Sequence, residues 1–407
     1  MPFGAETGAD GTRFRLWAPD AEDVCLLLER AEENATIEAP MAAVEGGWRE
    51  VRMAEVGPGS HYRFRINGEL AVPDPASRFQ PADVHGPSEV IDPLGYTWRH
   101  PEWRGRPWEE TVLYELHVGA FTDEGTFAAA ARHLGELAEL GITAVELMPV
   151  ADCPGRRNWG YDGVAPFAPD SAYGRPEDLK ALIDAAHGLN LMVFLDDVYN
   201  HFGPEGNYLH AYAERFFDAS RRTPWGAAIA FDSPEARPVR DFFIENALFW
   251  LEEYRFDGLR LDAVHAIEDR SRPHILEEMA AVVQERLGNE RHVHLVLENG
   301  LNEARYLERR PDGRPRHYAA QWNDDIHHAF HVLLTGETHG YYTDFGNDAA
   351  AHLGRCLAEG FAYQGDPSPY FGSRRGEASA HLPPTAFVGF MQNHDQIGNR
   401  AFGERLG

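Results

Sequence analysis

Cysteine is scarce in this chain. Only Cys25, Cys153 and Cys356 occur among 407 residues, no C-x-x-C is formed and the number is odd. Neither a disulfide scaffold nor a cysteine-ligated zinc site is expected, and the usage points to a reducing, cytoplasmic setting. Basic residues are also few. There are 37 Lys and Arg against 65 Asp and Glu, a net charge of −28. That balance argues against a nucleic-acid or anionic-membrane partner, which would want a basic patch, so neither is expected. No apolar run approaches a membrane span. The opening "MPFGAETGADGTRF" has no basic or apolar region of the signal-peptide kind. No dense acidic loop of the EF-hand type is present either, so no metal and no cofactor is expected.

What the chain does have is enough apolar material, 43%, for globular folding, and a length that suggests two domains. Residues 1–96 read as a small β-sandwich. "TRFRLWAP", "DVCLLLER", "GWREVRMAEV" and "HYRFRING" are short alternating or apolar runs set between Gly, Pro, Asp and Asn clusters. The proline-rich "AVPDPASRFQPADVHGPSEVIDP" reads as an ordered connector.

Residues 97–407 alternate strands with helices. The strands are "TVLYELHV", "ITAVELMPV", "LMVFLDDV", "FDGLRLD", "HVHLVLE", "RHYAAQWN" and "TAFVGFMQ". The intervening helices include "GTFAAAARHLGELAELG", "RPEDLKALIDAAHGLN", "ARPVRDFFIENALFWLEEYR" and "PHILEEMAAVVQERLG". This rhythm predicts a parallel sheet covered by helices. Seven strands suggest a (β/α)8 TIM barrel, and the absence of a Gly-rich loop after the first strand argues against a doubly wound sheet. The barrel is expected to lack its last strand, which would leave apolar edges on strands one and seven and favour self-association.

Catalytic groups of such barrels gather at the C-terminal ends of the strands. Strand three ends in Asp196 and leads to Asn200 and His201. Strand four ends in Arg260 and Asp262, strand five in Glu298, and strand seven leads to His394 and Asp395. Strand alternation puts Arg260 and Asp262 on one face. The arginine would keep Asp262 ionised, as an anionic nucleophile requires. Glu298 follows "VHLVL" with no adjacent cation, so its pKa is expected to rise into the range of a general acid. Carboxyl groups this arranged suit a retaining glycosidase, with Asp395, His201 and His394 available to sugar hydroxyls.

The four stretches "DDVYNH", "DGLRLDAVH", "LENG" and "QNHD" resemble, in order, the signatures of the α-amylase-type glycoside hydrolases and transglycosylases. The resemblance implies Asp262 as nucleophile, Glu298 as acid/base and Asp395 as transition-state stabiliser. It also implies that a C-terminal domain is lacking along with the last strand. It further implies that Arg260, His201, His394, Asp196, Asn200 and His265 line the subsite of the cleaved sugar, with Tyr161 of "NWGYDG" stacked on its ring. "YELHVGAFT", "NHFGPEGNYL", "QWNDDIHHAFHVLLTGE" and "QNHDQIGNRAFGERL" resemble the trehalose-releasing branch of that family. The implied substrate is an α-glucan oligosaccharide with a trehalose end, and the N-terminal domain would resemble a glycan-binding sandwich. A glucan branching enzyme and an inactive glucan-binding protein are the alternatives. Two residues depart from the pattern. Asp197 stands at a usually apolar position, where a second acid could disturb the titration of Glu298, and Gly300 stands where an aspartate is expected.

Overall fold

In the computed structural model, residues 1–30, 35–400 and 402–406 are described. Ala401, within one of the resembling stretches, and the chain end at Gly407 lie outside them. The N-terminal strands are β1 (Gly4–Gly8), β2 (Gly11–Trp17), β3 (Val24–Arg30), β4 (Ala35–Pro40), β5 (Ala42–Val44), β6 (Trp48–Met53), β7 (His61–Ile66), β8 (Leu70–Val72) and β9 (Ser88–Glu89). They form two antiparallel sheets, ordered β1-β2-β6-β5 and β4-β3-β7-β8, with β9 also paired to β7. Period-two burial along β2 and β7 turns Phe14, Leu16, Tyr62, Phe64 and Ile66 inward, where Phe14 meets Tyr62 edge-on at 4.8 Å across the sheets. The expected sandwich is present.

The chain continues through β10 (Leu113–Leu116), α1 (Val118–Phe121), α2 (Phe127–Leu140), β11 (Ala144–Leu147), β12 (Ala151–Asp152), β13 (Ala165–Pro169), α3 (Pro176–Gly188), β14 (Met192–Asp197), β15 (Phe217–Thr223), β16 (Gly226–Ile229) and α4 (Arg237–Glu252). It then forms β17 (Gly258–Leu261), α5 (Ile275–Leu287), β18 (His294–Glu298), β19 (Ala320–Trp322), α6 (Asp324–Thr335), α7 (Ala349–Glu359), β20 (Asp366–Ser368), β21 (Ser373–Arg375), β22 (Phe387–Val388) and α8 (His394–Gly398). Local signals set the helix ends. Thr126 accepts from the Ala129 amide to start α2, and Gly141, at φ 95°, ends it in the left-handed conformation that glycine tolerates.

Two compact units result. The first comprises residues 1–105, 112–257 and 267–275, the second residues 106–111, 258–266 and 276–407. The first carries the parallel strands β10, β11 and β14, and the second the parallel strands β17, β18, β19 and β22. Parallel strands alternating with helices follow the (β/α)8-barrel plan, with seven such strands among the described residues. β14 is buried along its whole length, as a strand covered on both faces must be.

Strand seven is much shorter than expected. It pairs only at Gln321–Phe387 and Trp322–Val388. Beyond Gly389 the chain turns toward α6. Phe390 stacks on His327 at 5.3 Å, and the Met391 carbonyl meets His327 Nδ1 at 2.6 Å, so these contacts replace ladder bonds. No described helix is long and apolar enough to cross a membrane.

Candidate active site

In the second unit, Leu261 pairs with Leu297 and Glu298 pairs with Trp322. The register therefore brings Asp262, one residue beyond β17, level with Glu298 at the end of β18. Leu259 and Leu261 are fully buried on one face of β17, and Arg260 points to the other. Its guanidinium bridges both acids, with Nη1 3.0 Å from Asp262 Oδ1 and Nη2 3.1 Å from Glu298 Oε2. Trp322 lies 5.7 Å from the guanidinium carbon and covers it. The one guanidinium that both carboxyl groups bind holds them as neighbours at the strand ends. The Asp262 and Glu298 side chains remain 13% and 18% exposed, so a substrate can reach them.

The expectation for Glu298 needs correcting. Burial does push its pKa up, but Arg260, the Ala263 amide donating to Oε2 at 2.7 Å, and His265 outweigh burial, and the carboxyl sits below its ordinary value. Sequence adjacency concealed the cation, because Arg260 arrives from the neighbouring strand. His265 Nδ1 accepts from the Gly300 amide at 3.2 Å, which leaves Nε2 to donate when the ring is neutral. Arg375, missed by sequence reasoning, donates from Nε to the Gly300 carbonyl at 2.7 Å and pairs with Asp325 at 2.8 Å. Asp395 and His394 open α8, 3.7 Å apart, and Asp395 is half exposed.

The remaining expected residues belong to the first unit and form one linked group. Tyr161 donates its hydroxyl to Asp196 Oδ2 at 2.6 Å. His201 Nε2 is 2.9 Å from the Tyr161 carbonyl, and Nδ1 is 2.5 Å from Asn200 Oδ1. Burial pushes the His201 pKa down, so the ring is neutral. A neutral ring donates only once, here to the Tyr161 carbonyl; the structure sets Asn200 Oδ1 against Nδ1, and turning the Asn200 amide over places its NH2 there as the donor. Both ring nitrogens are thus engaged inside the protein. His201 orients Tyr161 and Asn200 instead of presenting a free donor to sugar hydroxyls. Trp225, at the tip of the β15–β16 hairpin, stacks on His201 at 4.4 Å; no spacing in the sequence marked it.

Asp197 does not face this group. It is 5% exposed, and its Oδ2 lies 2.9 Å from the Tyr199 hydroxyl, which is itself 2.8 Å from Asn246 Oδ1. Tyr199 has one hydroxyl hydrogen for two acceptors. Burial raises the Asp197 pKa to about 8, so a protonated Asp197 donates to Tyr199, and Tyr199 donates to Asn246. Among the described residues, no cluster of three or more His, Cys, Asp or Glu has the geometry to hold a metal ion.

Residues 96–247 match the alpha amylase catalytic domain family, and residues 2–85 match carbohydrate-binding module 48, the isoamylase N-terminal domain. The malto-oligosyltrehalose trehalohydrolase of Saccharolobus solfataricus is 41% identical over 100% of this chain and 70% of its own length. The chain belongs to the malto-oligosyltrehalose trehalohydrolase family. It therefore carries an α-amylase-type glycoside hydrolase domain behind a carbohydrate-binding sandwich. The trehalohydrolase of Deinococcus radiodurans is 44% identical over 98% of this chain and 63% of its own length, so the chain spans about two thirds of these relatives. A 1,4-alpha-glucan branching enzyme of Bacillus cytotoxicus is less similar, at 31% over 64% of the chain and 44% of its own length. Among solved structures, one from Salmonella typhimurium assigned as an alpha amylase superposes with a TM-score of 0.95 at 51% identity, covering 99% of this chain and 68% of that one. An Anoxybacillus pullulanase with bound maltotetraose, 20% identical with a TM-score of 0.75 over 96% of this chain and 61% of its own, shares the fold.

Proposed function

We propose that this site hydrolyses the α-1,4-glucosidic bond next to the terminal trehalose of malto-oligosyltrehalose, releasing trehalose with retention at the anomeric carbon. The observation that carries the reading is the single guanidinium of Arg260 bridging Asp262 and Glu298 at matched strand ends. Arg260, 3.0 Å from Asp262 Oδ1, favours the carboxylate form that would attack the anomeric carbon. Glu298 protonates the glycosidic oxygen as the trehalose leaves. A sugar seated over the pair removes the water that still reaches Glu298, which raises its pKa toward the acid role. Glu298 then takes a proton from water, the water attacks the glycosyl-Asp262 ester, and Asp262 is regenerated. Asp395 and His394 would hold sugar hydroxyls in the oxocarbenium-like state, while Tyr161, Asp196, Asn200 and His201 would shape the subsite of the cleaved sugar. The sandwich would hold α-glucan. The free thiols of Cys25, Cys153 and Cys356 fit a cytoplasmic setting.

The test is incubation with malto-oligosyltrehalose, with trehalose and the anomer formed first followed by NMR. Asp262→Asn should abolish turnover, and Glu298→Gln should cost roughly 10²–10⁴-fold. Branched glucan without trehalose would transfer the reading to a branching enzyme, and an inverted first product would remove the double displacement.

A further inference from the structure

Three consecutive polar residues join β19 to α6, and two of them are engaged by other segments. Asn323 caps the helix by accepting from the Ile326 amide and donates to the Gly360 carbonyl at 2.7 Å. Asp325 pairs with Arg375 and accepts from Asn302 at 2.9 Å and from the Ala362 and Tyr363 amides at 2.9 and 3.1 Å. Asp324, between them, is half buried, and its carboxylate has no hydrogen-bond partner among the described residues. Partly desolvating a carboxyl group without a partner is costly unless a ligand supplies one. Burial first, and the Glu298 charge second, raise its pKa to about 7. Near neutrality such a carboxyl can both donate and accept.

Its position indicates which part of the substrate it meets. In the order β17-β18-β19, Glu298 has Asp262 on one flank and Asp324 on the other. A general acid must touch the glycosidic oxygen, so groups beside it and away from the nucleophile border the sugar that leaves.

We infer that Asp324 is the leaving-group residue of this site, hydrogen-bonding hydroxyls of the sugar that departs from Glu298. This rests on the hydrolase reading above, in which that sugar is trehalose. An acid in the first turn of a helix also complements the helix dipole, so the test must separate the two roles.

The experiment compares Asp324→Ala with the unsubstituted protein on two substrates that share the glycosyl part. One is malto-oligosyltrehalose, and the other is α-maltotriosyl fluoride, whose leaving group has no hydroxyls. The expected result is a fall in kcat/KM at least tenfold larger on the trehalose-ended substrate, together with weaker inhibition of fluoride hydrolysis by free trehalose. Asp324→Ser keeps a polar residue in the first turn and carries the same comparison if the alanine variant does not fold. Equal losses on both substrates would assign Asp324 to the helix alone and overturn the inference. If the unsubstituted protein cleaves linear malto-oligosaccharide but not the trehalose-ended one, the trehalose reading falls. The same comparison with the linear oligosaccharide then decides the role of Asp324 separately.

Discussion

Replacing Asp197 with asparagine should stabilise the protein, and increasingly so as pH rises. Asp197 is buried, and burial raises its pKa from 3.8 to about 8. Below the unfolded value the carboxyl is protonated in both states and contributes no pH dependence. Between the two values the unfolded chain releases the proton while the folded chain retains it, so stability falls as pH rises. Above the folded value the dependence ends. Each pH unit within the window costs ~1.4 kcal/mol, which amounts to ~4 kcal/mol at pH 7 as an upper figure. Asparagine does not titrate, yet it can keep the hydrogen bonds. Its NH2 donates to Tyr199, its carbonyl accepts from the Val198 amide in place of Asp197 Oδ1, and Tyr199 continues to donate to Asn246. Urea unfolding of both proteins at pH 5, 6, 7 and 8 cancels the titrations they share. The expected advantage of Asp197→Asn is ~1–2 kcal/mol at pH 5 and about 2–4 kcal/mol or more at pH 7 to 8. A difference that stays constant across this range, or a variant less stable at pH 8, would refute the protonated Asp197.

Arg260→Lys replaces two bridging nitrogens by one ammonium, so kcat/KM should fall by roughly 10²-fold or more. Glu298 loses part of the charge that holds its pKa down, so the basic limb of the kcat/KM profile should move to higher pH; an unmoved limb would mean that Arg260 does not set the Glu298 titration. Asp325→Ala strands the buried Arg375 and three further donors. About 3–5 kcal/mol of unfolding free energy should be lost, measured by urea denaturation, and a loss below ~1 kcal/mol would contradict the pairing.

The sequence by itself determined the features that depend on neighbours along the chain. Period-two runs became the strands of the sandwich, and the apolar stripe ahead of Gly141 became α2, because burial periodicity and left-handed glycine are local properties. Strand alternation placed Arg260 and Asp262 on one side of β17, and the 3.0 Å bond between them follows from it. The strand-end acids were legible for the same reason. Only the tertiary structure decided what each of these groups meets. Arg260 reaches Glu298 through the register of two parallel strands, so the sign of the Glu298 shift could not be read from its own segment. Asp197 turns inward because Tyr199 and Asn246 receive it, His201 spends both nitrogens on Tyr161 and Asn200, and Asp324 is left over because its neighbours are satisfied from segments distant in sequence. A carboxyl group's charge and availability depend on desolvation and on partners brought in by packing, and a linear pattern contains neither.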